Sequence, residues 1–386
     1  MTRKPWMFAA LLLASLATSR LTAQEQYGPP ASGNSSAILF APATLNLVAG
    51  NFVAGYGGDG GPANSATTML SGPIGMKFDS NGNLFIADSA NHVVRRIDHA
   101  TGDISTFAGQ QANAGFSIGG GVATSAQMQS PSGLVVDSNN NVYVADRSNN
   151  VVFMITPAGA ISIFAGSGTI GYGGDGGSAT APAAKFNNIW DLGIDSSNNI
   201  YIADTGNNLI RKVTQAGNLS TFAGDVADVS GCNSSQYSTG APPYTAFQVH
   251  LCFPQGVAFD FLGNAYITDT KNDVIYKVDN SGNLTLFAGT FNTPGFSGDG
   301  GPATSAWFDL PAGLYADPAG RVYISDFFSG RIRVVDSLGN INTVFGTGFG
   351  DLGKASIGEP DTEAVNVTSG PANGIYDFAL DIYRCV

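Results

Sequence analysis

Short apolar runs separated by polar turns dominate this chain, and one unit sets the pattern. NLFIADSANHVVRRI at 83–97 reads as an apolar strand, a turn beginning at Asp88, and a second apolar strand. Close copies follow as NVYVADRSNNVVFMI at 141–155, NIYIADTGNNLIRKV at 199–213, NAYITDTKNDVIYKV at 264–278 and, more loosely, RVYISDFFSGRIRVV at 321–335. The marker aspartates Asp88, Asp146, Asp204, Asp269 and Asp326 stand 58, 58, 65 and 57 residues apart. A repeat of that length, made only of short strands and turns, cannot bury its faces alone and stacks on its neighbours, which predicts a propeller.

Two further strands complete each repeat. In the first, PIGMKFD at 73–79 is a strand entered by a proline and followed by a tight turn at Gly82, and ISTFAG at 104–109 is a fourth strand. The fourth recurs as ISIFAG, LSTFAG, LTLFAG and INTVFG, ending at Gly166, Gly224, Gly289 and Gly346. Such Val-, Ile-, Phe- and Tyr-rich runs make one four-stranded antiparallel blade. Five copies are complete, and the ends are expected to supply a sixth. PANGIYD at 371–377 and LDIYRCV at 380–386 match the first two strands, while AILFAP at 37–42 and LNLVAG at 45–50 match the last two. The expected fold is therefore all-β, a six-bladed β-propeller of four-stranded antiparallel blades, closed by N- and C-terminal strands sharing one blade.

Composition narrows the class. With 51 glycines in 386 residues, 43% hydrophobic and 12% charged types, the chain has the make-up of buried strands and tight turns, not of disorder. A net charge of -12 argues against nucleic acid or an anionic membrane surface as partner. Arg3 and Lys4 precede an apolar run at 6–17, too short to span a bilayer, and small residues lead to Ala23. These features read as a signal peptide at 1–23, a flexible segment at 24–36 and the propeller at 37–386, and they predict a secreted or periplasmic protein with no membrane span. Of three cysteines, Cys232 and Cys252 could staple one loop in an oxidising compartment, leaving Cys385.

Candidate chemistry is sought where blades differ. The marker aspartates, and the aspartates ending the first strands (Asp79, Asp137, Asp195, Asp260, Asp317 and Asp377), recur in every blade and read as turn tethers. Asp59, Asp175 and Asp299, in GYGGDGG, GYGGDGG and GFSGDGG, recur in every second loop; they are weak candidates for a divalent cation, against the plainer reading of a loop folded by an internal Asp bond. On the innermost strands, Gly75, Gly133, Gly256 and Gly313 give way to Asp191 in the third repeat and Asn373 in the sixth, with Trp190, Gln255, Lys77 and Tyr315 beside them. In a six-bladed ring Asp191 and Asn373 would face each other across the channel mouth, a candidate small-ligand site. Phe327 and Phe328 replace polar residues after the fifth marker and read as interface anchors. The insertion at 225–253, with Tyr237, Tyr244, Phe247 and the cysteine pair, is expected on the same loop-rich face.

The blade pattern, with IAD, NN and IRKV followed by STFAG and GYGGDGGPA, resembles the NHL-repeat six-bladed propellers of exported bacterial proteins and of the teneurin extracellular region, over 37–386. The resemblance implies a fold and often a recognition role; the family also includes lyases and lactonase-like enzymes, so it fixes no ligand. Related amidating lyases use several channel histidines on zinc, whereas this chain has only His92, His99 and His250. Lactonase-like relatives use a channel Glu with Asn and Asp on a divalent metal, whereas the glutamates here are Glu25, Glu359 and Glu363. The expectation is a monomeric exported module whose loop face binds an extracellular protein, peptide or glycan, with no catalytic residue assigned and no cofactor beyond a divalent cation. The alternative is a metal-dependent lyase or lactonase-type hydrolase at the channel mouth.

Overall fold

The computed structural model describes residues 11–14, 45–111, 113–116, 120–229, 231–232 and 244–346. Within them the five repeats form five antiparallel sheets, blades 1 to 5 in chain order. The first strands are Pro73–Phe78, Pro131–Val136, Leu192–Ile194, Pro254–Phe259 and Pro311–Ala316. Second strands run Leu84–Asp88, Val142–Asp146, Ile200–Asp204, Ala265–Asp269 and Val322–Asp326; third strands run Val93–Ile97, Val151–Ile155, Leu209–Val213, Val274–Val278 and Arg331–Val335. The fourth strands are Asp103–Gly109, Ala160–Ala165, Leu219–Ala223, Asn283–Ala288 and Ile341–Phe345.

The loop entering each blade also touches that blade's outer edge. Gly61–Pro62, Gly121–Val122 and Tyr244–Thr245 add a two-residue strand to the fourth strands of blades 1, 2 and 4. Single bridges, Ser178 to Asn218 and Pro302 to Asn340, do the same in blades 3 and 5. Part of an otherwise open sheet edge is thereby covered.

The count of six blades is corrected by this arrangement, which has five blades of four to five strands. Leu45–Ala49, expected as the outer strand of a blade shared by both ends, pairs antiparallel with Leu11–Ala14 in a separate two-stranded sheet. Its Val48 and Ala49 pack with Leu70, Met76 and Ile86 of blade 1. The physical reason is that a short apolar run specifies a strand but not its partner; register and pairing are set by whatever apolar face lies alongside. The matches at 37–42, 371–377 and 380–386 fall outside the described residues.

The core lies between blades. Second strands are buried along their whole length and read as mostly apolar runs ending in Asp, with Thr268 and Ser325 the other polar residues, because both of their faces are covered. Val142 and Val144 pack with Phe85, Ala87 and Val94 of blade 1, whereas Tyr143 and Ala145 pack with Phe186, Ile189 and Leu192 of blade 3. The same alternation fills the junctions of blades 3 with 4 and 4 with 5.

A hydrogen-bonded latch accompanies each junction. The turn after the marker aspartate ends in a left-handed residue, His92 (φ 61°), Asn150 (54°), Asn208 (57°) or Asp273 (58°), which explains the short polar side chains there. Each accepts a backbone N–H from the next blade's entry. Ser130 donates to His92 Nδ1 at 3.2 Å, Asn188 to Asn150 Oδ1 at 2.5 Å, Phe253 to Asn208 Oδ1 at 3.0 Å and Leu310 to Asp273 Oδ1 at 3.1 Å. Blade 5 carries Gly330 (φ 64°) at this place and so has no side chain to extend the series.

Candidate functional site

The first strands converge on a narrow axial opening, with about 10 Å³ of free space, to which every blade contributes: Ile74 and Gly75, Gly133, Trp190 and Asp191, Gln255, and Ala312 and Gly313. Its glycines are dictated by close approach of neighbouring backbones. A methyl on Gly75 would run into the Ser132 carbonyl of blade 2, and one on Gly256 into the Ala312 carbonyl of blade 5. One on Gly133 would meet the Cα and carboxylate of Asp191. Blade 3 breaks the pattern because its first strand starts late, at Leu192. The two residues before it are held by backbone bonds: Gly133 N–H to Trp190 O at 2.9 Å, Trp190 N–H to Ala203 O at 3.0 Å, and Ala203 N–H to Asp191 O at 2.9 Å. The Arg147 guanidinium stacks over the Trp190 ring, 4.3 Å from its centre.

Of the residues proposed for the channel mouth, Trp190, Asp191 and Gln255 are brought together. Lys77 and Tyr315 lie on the same strands but not on this lining; Lys77 pairs with Phe85, and the Tyr315 ring lies 6.1 Å from Tyr323. Asn373 lies outside the described residues, and its expected opposition to Asp191 drew on a six-bladed ring that five blades do not provide.

The marker aspartates tie two connections together. Each accepts a side-chain or hydroxyl bond from the turn that follows and a backbone N–H from the loop entering its own blade, as in Asn91 Nδ2 to Asp88 at 2.8 Å and Ser71 N–H to Asp88 at 2.6 Å. Burial pushes Asp88 up to about 6 and Asp146, Asp204, Asp269 and Asp326 up to about 7, against these donors. The aspartates ending the first strands close their own turns, as Asp79 does on the N–H groups of Asn81 and Asn83.

Asp59, Asp175 and Asp299 do something that sequence reasoning missed. Each reaches a fully buried arginine on the third strand of the blade its loop enters: Arg95, Arg211 and Arg333 respectively. The same arginines face the marker aspartates Asp88 at 3.5 Å, Asp204 at 3.3 Å and Asp326 at 3.8 Å. Tyr56, Tyr172 and Phe296 lay their rings over the guanidinium groups at 4.8, 4.9 and 4.9 Å. The loop carboxylates also accept from the fourth strand, Thr106, Thr221 and Thr343 donating backbone N–H groups at 3.2, 3.1 and 3.0 Å. Burial raises the pKa of Asp59 and Asp175, but the arginine charge and the hydroxyl donors outweigh it and hold both below the ordinary carboxylate range. A signal existed: blades 2 and 4, whose loops lack the aspartate, carry Phe153 and Tyr276 where the others carry Arg. Among the described residues no three His, Cys, Asp or Glu side chains come together as a metal site.

Phe327 and Phe328 stack 5.0 Å apart, but only Phe328 is exposed, at 51%; Phe327 is buried. Phe328 N–H bonds Asp309 O at 2.9 Å and Trp307 N–H bonds Ser297 O at 3.4 Å, which places exposed Trp307 and Phe296 on the same part of blade 5. Arg331 lies 3.7 Å from the centre of the Phe296 ring. In the insertion, Cys232 and Cys252 form a disulfide, and Cys252 N–H is held by Asp269 at 2.6 Å. Asn208 Nδ2 donates to Gly231 O at 2.8 Å, and Phe247 is exposed, while Tyr237 falls outside the described residues.

Comparison with known proteins shows what the scaffold is similar to. The family model described as the teneurin NHL domain matches residues 52–236. The chain is 28% identical over 269 residues to Protein SUPPRESSOR OF QUENCHING 1, chloroplastic, of Arabidopsis thaliana, covering 68% of this chain and 25% of that protein. It is 27% identical over 241 residues to Teneurin-3 of Mus musculus, covering 56% of this chain and 8% of that protein. The chain thus spans a quarter or less of either relative. Among solved structures, an auxiliary nutrient binding protein from Bacteroides ovatus shares the fold with a TM-score of 0.50 at 15% identity, over 83% of this chain and 64% of that one. The repeat, the blades and these matches together support an NHL-repeat β-propeller, to which this chain is similar.

Proposed function

We propose that this propeller is an exported recognition module that binds a protein, peptide or glycan through the loop-rich face of its blades. The observation that carries this reading is Phe328, half exposed on blade 5, where the other blades place Ala90, Ser148, Gly206 and Lys271. The turn does not demand an aromatic there, and the buried Phe327 braces it from beneath. Trp307, Phe296 and Arg331 extend the surface, a composition enriched at protein interfaces and at their energetic centres. The match to the teneurin NHL domain supports a binding role, and no helix among the described residues is long and apolar enough to cross a membrane.

The test is capture from culture medium by immobilised protein. Phe328→Ala combined with Trp307→Ala is expected to melt within about 4 °C of the parent, as surface changes do, while losing most of the captured partner. An unchanged set of captured molecules would sink the reading.

A further inference from the structure

Four columns of the repeat change together where blade 4 meets blade 5. Trp307 stands where the other blades carry Met69, Gln127, Lys185 and His250, and Phe328 where they carry Ala90, Ser148, Gly206 and Lys271. Asp309 takes the place of Ser71, Gln129, Asn187 and Cys252, whose backbone N–H groups likewise bond the marker aspartates. Asp273 takes the place of His92, Asn150 and Asn208 in the latch series. Other blades form the same bonds without these four side chains, so the scaffold does not demand them.

These residues lie together. Phe328 N–H bonds Asp309 O at 2.9 Å, Trp307 is two residues from Asp309 with buried Phe308 between them, and Leu310 N–H bonds Asp273 Oδ1 at 3.1 Å. Among the described residues no cation answers the two carboxylates. Partly exposed Asp309 has neither a donor nor an ion pair on its side chain, and burial raises its pKa. Burial and the charge of Asp309 push Asp273 up to about 6, against the Leu310 N–H. The cations nearby are engaged elsewhere: Lys271 Nζ lies 3.8 Å from the centre of the Phe253 ring, while Arg331 lies over Phe296 and donates to Ser329 O at 2.9 Å. Two neighbouring carboxylates without a counter-charge attract positive charge.

Resting on the reading of the Phe328 surface as the recognition site, we infer that its partner is a basic peptide segment. An apolar side chain of the peptide covers Trp307 and Phe328, and a neighbouring Lys or Arg pairs with Asp309, with Asp273 behind it adding to the attraction. The aromatic border keeps water from that ion pair, the setting in which a charge pair across an interface contributes most. A neutral glycan would offer hydroxyl donors but no charge to relieve the repulsion between Asp273 and Asp309, so the cationic peptide is the better fit.

Selection of a random dodecapeptide library, displayed on phage, against the immobilised full chain tests this, followed by fluorescence polarisation of the enriched peptides. Enriched sequences are expected to place Lys or Arg within a few residues of an aromatic or aliphatic side chain. Asp309→Asn and Asp273→Asn each introduce the residue type that blade 3 carries there, Asn187 and Asn208, so folding is expected to be kept. Asp309→Asn should weaken these peptides about fivefold or more and Asp273→Asn about twofold or more, as should exchanging the peptide's Arg for citrulline or its Lys for norleucine. Asp279→Asn removes an equal charge from the turn at the other end of blade 4 and should change affinity by less than about twofold. Enriched peptides that lack Lys and Arg yet are lost with Phe328→Ala and Trp307→Ala would overturn the charge assignment and leave the recognition surface standing. Peptides indifferent to Asp309→Asn, equal weakening by Asp279→Asn, or a library without binders would overturn the inference, whereas the surface itself stands or falls by capture from culture medium.

Discussion

Arg211 has no exposed side-chain surface, yet it faces one partly exposed and one fully buried carboxylate, Asp175 and Asp204. Removing one partner of a buried ion pair strands the other, a loss of about 3–5 kcal/mol. Arg211→Met is therefore expected to cost about that much by urea unfolding at pH 8, and less at pH 6, where Asp204 can take up a proton. Blade 2 shows the neutral solution, with Phe153 in the arginine's place and Asp146 pushed up to about 7 by burial. A carboxyl whose folded pKa lies above its unfolded value of ~3.9 binds its proton more tightly when folded. Its contribution is lost as pH rises through about 7 and returns on acidification. The wild-type midpoint should rise by about 2–4 °C between pH 8.5 and 7, above the range where His92 titrates, on the order of 1 kcal/mol. Asp146→Asn, which removes one of four aspartates raised to about 7, should reduce that slope by roughly a quarter, and calorimetry across this interval checks both. The tether role of the marker aspartates was legible from their recurrence, but the donors were not. Asp88 takes its backbone N–H from Ser71, seventeen residues upstream, a contact that no local pattern reveals.

At the scale of elements, strands were readable because each carries an apolar run bounded by Gly, Asn or Asp. The entry loops were harder. GYGGDGG reads as a flexible turn, yet in the fold it crosses its own blade, covers the outer edge and delivers a carboxylate to a buried arginine. The clue lay in two distant columns, the loop aspartate and the third-strand residue, which change together from blade to blade. The insertion after blade 3 is pinned at both ends of its disulfide, Cys252 to the marker turn of blade 4 and the Cys232 neighbourhood to Asn208 of blade 3. With the two cysteines 20 residues apart, the bond is expected to contribute about 3 kcal/mol. Melting with and without reductant should show a lower midpoint when reduced, and a Cys232→Ser, Cys252→Ser double variant should match the reduced protein and ignore the reagent.

For the whole molecule, the series of latches from His92 to Asp273 stops at Gly330. The blade arrangement thus has a direction that the near-identical repeats conceal. The sequence by itself determined the strands, the four-strand blade, the number of complete repeats and the positions where one blade departs from the others. Those features are local: apolar runs, turn residues with left-handed backbone, and a fixed spacing act on neighbours in the chain. Only the tertiary structure decided the partner of Leu45–Ala49, the burial of Phe327 beneath Phe328, the arginines between paired aspartates, and which of the deviant residues meet at the axis. Those depend on backbones approaching from different repeats, where the room left by a missing Cβ or the charge of a buried guanidinium selects among pairings that the linear pattern leaves equivalent.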